Sequence, residues 1–380
     1  MEKKYLIYFC KGIESVFDSQ VLELIKSISE RRVFRSVYLF LGIRDNNEMQ
    51  ELQKRKIPEG IKVITYKTYP NYVIFNYLTK RQLEKTIRDN REVFTDPVIH
   101  IREELMAWHV SEVLKKKYCS KILPDIRGAT IEEILENDRL SIIKRIFKLW
   151  NYRRALKYLD NFRKISAVSE SLKKYLAENF KINEKKISVT PDLAGKHFRY
   201  DKSQRSSIRK ELNLNDEETL IIVSNGSTSQ WQNWQDSGIL QMIAGKNIKI
   251  LNLSRYSVVH KNIINKFVKY EAVPLYLQAA DLAIIWSNRR TVTMVRSPVK
   301  FSEYICCGLP IIANDSVDMI TDYIKKTSYG ILLKNIDQID DSIISRLKNI
   351  DRTKIANYGQ KWVGYENITD SYLQIYNSLC

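Results

Sequence analysis

VPLYLQAADLAIIW, residues 273–286, and SPVKFSEYICCGLPIIA, residues 297–313, decide how this chain is read. The first piece predicts a helix ending near Asp281 and then a buried strand. The second opens on Ser297-Pro298. Proline suits a first helical turn, where its missing N–H is not needed, and Ser297 stands where a cap is expected. A helix start presents unpaired N–H groups and the positive end of the peptide dipole, so it favours an anion. Lys300 adds a full charge in that first turn. Glu303, three residues on, falls on roughly the same face. A carboxylate beside a cation and an anion site is placed to accept hydrogen bonds from sugar hydroxyls. Gly308 ends the helix, and Pro310 leads into the next apolar run.

Outward from this segment, short apolar runs alternate with longer amphipathic stretches. In the second half strands are expected at 220–224, 248–253, 282–286, 311–313 and 330–333, with helices between them. In the first half strands are expected at 4–9, 37–42, 61–65, 98–101, 121–124, 164–168 and 186–191. Helices are expected at 18–31, 46–56, 103–117 and 170–179. A β-α-β-α order predicts a parallel sheet with helices on both faces. Residues 195–218 are polar, without apolar periodicity, and read as an interdomain linker. Residues 361–380 read as a terminal amphipathic helix. A chain of 380 residues is too long for one ordinary core. The division expected is 1–195, 196–360 and a final helix 361–380.

The 62 Lys and Arg against 44 acids give a net charge of +18, which implies an anionic partner. No apolar run approaches the ~20 residues of a membrane span. The run after Met1 is too short for a secretory signal, so a cytoplasmic protein is expected. Five cysteines and four histidines show no metal-ligand spacing, and no Asp-x-Asp occurs, so no metal is expected. Residues 139–164 carry nine Lys/Arg and one Asp, interleaved with Ile142, Ile143, Ile146, Phe147, Leu149 and Trp150. Such a stretch reads as a helix for an anionic membrane surface, or as a solvated helix whose apolar stripe is core.

The Pro298-x-Lys300-x-x-Glu303 helix, followed by Gly308-Leu309-Pro310 and an Ile run, resembles the donor-site signature of retaining glycosyltransferases of family 4. That resemblance implies the GT-B fold, two Rossmann-like domains facing a cleft, with the terminal helix crossing back to the first. It implies a UDP- or GDP-sugar as co-substrate, no other cofactor, and an acceptor bound by the first domain. By the same resemblance Lys300 contacts the diphosphate and Glu303 holds the ribose, with Ser297 and Pro298 beside them. The position of the family's first Glu is Val295 here, flanked by Met294 and Arg296.

Three further segments carry the resemblance. Residues 165–198, ISAVSESLKKYLAENFKINEKKISVTPDLAGKHF, are similar to the passage that ends the first domain. Residues 220–235, LIIVSNGSTSQWQNWQ, are similar to the first strand and glycine turn of the second, where Gly226 and Ser227 let backbone amides approach the donor. Residues 124–133, PDIRGATIEE, resemble bacterial polysaccharide-assembling members.

Asp125 and Arg127 follow a strand end, where ligand contacts gather in α/β sheets, and are catalytic candidates with Lys300. A His follows this strand elsewhere in the family, but not here. His100, Arg102 and Gly12 are acceptor-side candidates. Arg255, after the strand 248–253, is a donor-side candidate by position. The product expected is a cell-surface glycan such as lipopolysaccharide or capsule, made from a glycan or lipid-linked acceptor at the inner face of a bacterial membrane. Two alternatives stay open. Val295 allows a non-catalytic scaffold of the same fold. The charge allows a nucleic-acid binder, though no recognition motif supports that and no nucleic-acid partner is expected.

Overall fold

The computed structural model describes residues 4–13, 16–223, 238–243 and 246–379. The chain divides into two compact units, Met1–Pro191 with Thr369–Cys380, and Asp192–Ile368. Among the described residues each unit holds one wholly parallel sheet. The first contains β1 (Tyr5–Lys11), β2 (Ser36–Ile43), β3 (Ile61–Lys67), β4 (Pro97–Arg102), β5 (Ile122–Ile126), β6 (Ile165–Ala167) and β7 (Ile187–Val189). Their order is β3-β2-β1-β4-β5-β6-β7. Tyr5 of β1 lies opposite Ser36 on one side and Pro97 on the other. β4 and β5 are buried throughout and β1 over its five central residues, as expected of strands covered on both faces.

The second sheet contains β8 (Thr219–Val223), β9 (Ile248–Leu253), β10 (Ile263–Lys266), β11 (Leu282–Ile285), β12 (Ile311–Ala313) and β13 (Gly330–Leu332), in the order β10-β9-β8-β11-β12-β13. One face packs on helices Val273–Ala279, Val299–Cys306 and Arg352–Val363 through Leu277, Phe301, Tyr304 and Ile355. The other packs through Ile239, Ile243, Ile336 and Leu347. The fold is therefore the expected α/β pair of Rossmann-like domains. Each strand order reverses once, between β1 and β4 and between β8 and β11. There the loops leave the strand ends toward opposite faces of the sheet, opening a crevice at the carboxyl edge.

Residues 195–218 are not a linker. They fold into the second unit, which begins at Asp192. Phe198, Ile208, Leu212 and Leu214 join its core. The helix Arg205–Glu211 shows no apolar stripe because an ionic network replaces it. Arg209, 2% exposed, donates to the carbonyls of Ala279 and Glu218 and pairs with Asp281 at 3.4 Å. Asp281 in turn accepts from the backbone N–H of Leu220 at 2.8 Å. The helix Val73–Asp89 also lacked a clear period, since Asn76 and Thr79 are buried; Asn76 exchanges two side-chain hydrogen bonds with Asn151. Among the described residues no helix is long and apolar enough to cross a membrane.

Candidate functional site

In the second unit the chain leaves β11 beside the β8–β11 reversal and enters the helix Val299–Cys306. Pro298 is its N-cap, with φ −69° and ψ 118°, and no side chain caps the helix. The expected Ser297 cap is absent because the Ser297 hydroxyl is committed elsewhere. It accepts from the N–H of Asp192 at 2.9 Å, while the Ser302 hydroxyl donates to the Asp192 carbonyl at 2.7 Å. These two bonds fix the helix start to the first residue of the unit. The first helical bond runs from Phe301 N–H to the Pro298 carbonyl, so the preceding amides point past the helix end.

Lys300 projects from this first turn, its side chain 31% exposed, and donates to Oε2 of Glu303 at 2.8 Å. Glu303 is fully buried. Its other oxygen, Oε1, accepts no hydrogen bond among the described residues. Burial raises the Glu303 pKa, against the pull of the Lys300 ammonium and the Tyr270 hydroxyl. A buried carboxylate oxygen without a donor is costly, and a ligand hydroxyl removes that cost. At the other end of the helix Gly308 takes φ +74°, and an added Cβ there would lie 2.5 Å from the Arg352 carbonyl oxygen. Arg352 donates to the carbonyls of Gly308, Cys307 and Ala280, so the helix is clamped at both ends.

Val295 is buried at the end of the short helix Thr291–Met294. Arg255 lies in the exposed loop after β9, with its guanidinium 5.0 Å from the Phe267 ring centroid. β9 is on the far side of β8 from β11, so the structure does not join Arg255 to the Lys300–Glu303 pair. Gly226 and Ser227 lie outside the described residues, as do Trp231 and Trp234.

In the first unit Asp125 and His100 are both fully buried and engaged by neighbours of that unit. Asp125 accepts from the hydroxyls of Ser166 at 2.8 Å and Tyr372 at 3.3 Å, and from Arg127 at 3.3 Å. His100 meets Asp125 at 3.4 Å through Nε2 and the Tyr376 hydroxyl at 2.6 Å through Nδ1. Burial alone would raise the Asp125 carboxyl, but Arg127, His100 and Arg102 hold it well below the usual carboxylate range. Tyr372 and Tyr376 come from the terminal helix Tyr365–Leu379, so this network fastens that helix to β4 and β5. Such partners lie hundreds of residues away in sequence, and nothing local announces them.

Lys11 ends β1, and Gly12, with φ +75°, follows it at the β1–β4 reversal. Arg102 ends β4 and donates through Nη2 to Gln20. Glu103, next in the chain, has φ 79° and ψ 144°. The other non-glycine residues with positive φ lie between 49° and 60°, the ordinary left-handed region. Glu103 alone among them occupies backbone space that is almost exclusive to glycine, and such strain marks functional sites. Sequence reading missed Lys11 and Glu103; the only local signal was a lysine-glycine pair leaving the first strand.

Residues 237–362 match the sequence profile of the family described as Glycosyl transferases group 1. No curated protein matches the sequence. Solved structures of the same fold include a glycosyltransferase from Rickettsia africae, 14% identical with a TM-score of 0.72 over 100% of this chain and 99% of that one. A sucrose-phosphate synthase from Thermosynechococcus elongatus is 14% identical with a TM-score of 0.72, covering 99% of each chain. HepE from Anabaena, solved in complex with UDP and glucose, is 10% identical with a TM-score of 0.67 over 99% of this chain and 100% of that one. The chain thus has the GT-B fold, and residues 237–362 of its second unit are similar to glycosyl transferases of group 1.

Proposed function

We propose that this protein is a retaining glycosyltransferase that moves a sugar from a UDP- or GDP-sugar to a glycan or lipid-linked acceptor during assembly of a cell-surface polysaccharide. The observation that carries this is the buried Glu303 carboxylate, paired with Lys300 through one oxygen, while the other accepts no well-formed hydrogen bond among the described residues. A ribose hydroxyl supplies a donor there. Lys300 and the open amides of the helix start meet the diphosphate, whose charge grows as it leaves. The bond from the anomeric carbon to the phosphate oxygen breaks, the bond to the acceptor oxygen forms, and the acceptor proton passes to the departing phosphate. The complex of HepE with UDP and glucose supports a nucleotide-sugar donor. No metal is required in this scheme, so EDTA leaves the rate unchanged. Calorimetry with UDP, GDP and ADP tests the donor site. Lys300→Ala weakens the preferred nucleotide at least tenfold, and equal affinity removes Lys300 from the site.

An anionic membrane surface is the partner that the helix Ile142–Tyr158 supports. Its core contacts come from Asn151, Tyr152, Ala155 and Leu156, in the second half. In the first half Ile142, Ile143, Ile146, Phe147 and Trp150 are 73%, 69%, 59%, 47% and 46% exposed. They form one stripe at helical spacing, and exposed Arg153, Arg154 and Lys157 continue it. Apolar side chains for the acyl boundary, followed by cations for anionic headgroups, fit an interfacial helix. Charge reversal at Lys144 and Lys157 releases the protein from phosphatidylglycerol vesicles; equal co-sedimentation refutes the surface.

A further inference from the structure

We infer that Lys11 and Lys148 form a phosphate-binding site at the carboxyl edge of the first sheet. This site stands on the first unit alone and is independent of the Lys300 helix. Lys11 is the last residue of β1, at the β1–β4 reversal where α/β sheets take their ligands. Its ammonium donates to the Tyr69 carbonyl at 2.9 Å and to the Asn71 side chain, both neutral. Asn71 donates in turn to the Tyr152 hydroxyl at 2.6 Å, which fixes this wall of the site. The third ammonium hydrogen of Lys11 has no acceptor among the described residues. Lys148 approaches from the helix Ile142–Tyr158 and is partly buried, its ammonium 5.8 Å from the Tyr72 ring centroid.

Among the described residues no carboxylate lies within ion-pair distance of either lysine. Glu48, the acid nearest Arg44, is engaged by the Arg44 backbone N–H at 2.7 Å and by its guanidinium Nε at 2.6 Å. The charge of Glu103 acts on Lys11 and opposes the effect of its burial. Burial lowers the pKa of both lysines; that of Lys11 falls to about 8, with Arg44 and Lys148 adding to the effect and Glu103 and Glu48 opposing it. Two partly desolvated ammonium groups that repel each other, with no carboxylate partner among the described residues, are costly alone and favourable around an anion. Two cations match a dianion, which a phosphate monoester approaches near neutral pH. The phosphate comes either from a soluble phosphate ester or from a lipid headgroup. The exposed apolar stripe on the helix that carries Lys148 favours the headgroup.

The test uses the full chain in a Lys300→Ala background, so that phosphate held at the Lys300 helix does not contribute. Glycerol 3-phosphate and inorganic phosphate are titrated by calorimetry at pH 8 in buffers of different ionisation enthalpy. Binding is expected with proton uptake, because an anion raises the pKa of Lys11. Lys148→Gln is expected to weaken binding at least tenfold, and Lys11→Met to abolish the proton uptake as well. Lys85→Gln, at an exposed position on Val73–Asp89, should change neither. Flotation with phosphatidylcholine vesicles doped with phosphatidic acid, or with an equal charge of phosphatidylglycerol, separates the sources. A phosphatidic acid preference that Lys148→Gln removes identifies the headgroup, while soluble binding without that preference identifies a free ester. Absence of phosphate binding, or binding indifferent to both lysine variants, overturns the site. Nucleotide binding by the protein with Lys300 intact is a separate measurement, so the donor site can fail or hold on its own.

Discussion

Replacing Glu303 with Gln separates a donor-binding carboxylate from an ordinary helix ion pair. The substitution keeps the shape and removes the charge at a residue with no exposed surface. In the proposed complex a ribose hydroxyl donates to Oε1, the oxygen that has no partner among the described residues. A hydrogen bond to a charged group contributes about 1.5–3 kcal/mol. Its loss corresponds to about ten- to hundredfold in nucleotide Kd. Stability should move the other way. The folded pKa of Glu303 is raised by burial, so ionising it opposes folding once pH rises through that value. The Gln variant escapes this, so it should melt no lower than the parent at pH 7, and the difference should shrink as pH falls below the unfolded carboxylate range. Lys300, left without its partner, is partly exposed and loses little. Calorimetry with UDP and GDP from pH 5 to 8 reads both effects. Parental affinity should weaken as pH falls through the raised pKa, while the variant stays flat. Variant affinity within twofold of the parent, with the same pH profile, refutes the role.

Three further substitutions address the framework. Asp125→Asn removes the buried charge that answers Arg127 and His100 and should cost about 3 kcal/mol in urea unfolding of the first unit. Because the folded Asp125 pKa is depressed, its contribution is present above the unfolded pKa and is lost as pH falls below it, so the parent and variant curves should converge in acid. Gly308→Ala meets both a positive φ and a backbone oxygen at 2.5 Å from the new Cβ, and should destabilise the second unit by about 2 kcal/mol by thermal melting. Glu103→Gly relieves the unusual backbone and should stabilise the first unit by about 1 kcal/mol while lowering sugar transfer; unchanged stability would show that φ 79° costs nothing there.

The parallel sheets were legible because their strands are largely buried and read as unbroken apolar runs, as in LIIV at 220–223 and LAII at 282–285. The helix at 299–306 was legible because its residues act locally: a proline at the start, a lysine and a glutamate one turn apart, a glycine at the end. What escaped was whatever depends on distant partners. Arg209 looked like a linker residue because Asp281, which pairs with it, is 72 positions away. Ser297 looked like a cap because the chain does not announce that Asp192 will arrive to use its hydroxyl. Asp125 and His100 were placed at strand ends by the sequence, but their tyrosine partners were not legible there. The two tyrosines that cover them enter from the last helix.

The polar groups buried at the strand ends therefore fall into two physical kinds. Asp125 and Asp281 have their charge answered several times over, by Arg127, His100, Ser166 and Tyr372 in one case and by Arg205, Arg209 and the Leu220 amide in the other. Such networks hold elements in place, and removing one member leaves another buried charge exposed to a low dielectric. Glu303 Oε1 accepts no well-formed hydrogen bond among the described residues, the Lys11 and Lys148 ammonium groups are drawn partly out of water, and Glu103 holds an unusual backbone. A protein stable by only about 5–15 kcal/mol carries few such costs without a purpose. Here they lie on the loops and helices at the β1–β4 and β8–β11 reversals, where the strand order already requires a crevice. An acceptor phosphate at the first and a nucleotide diphosphate with its ribose at the second would relieve them.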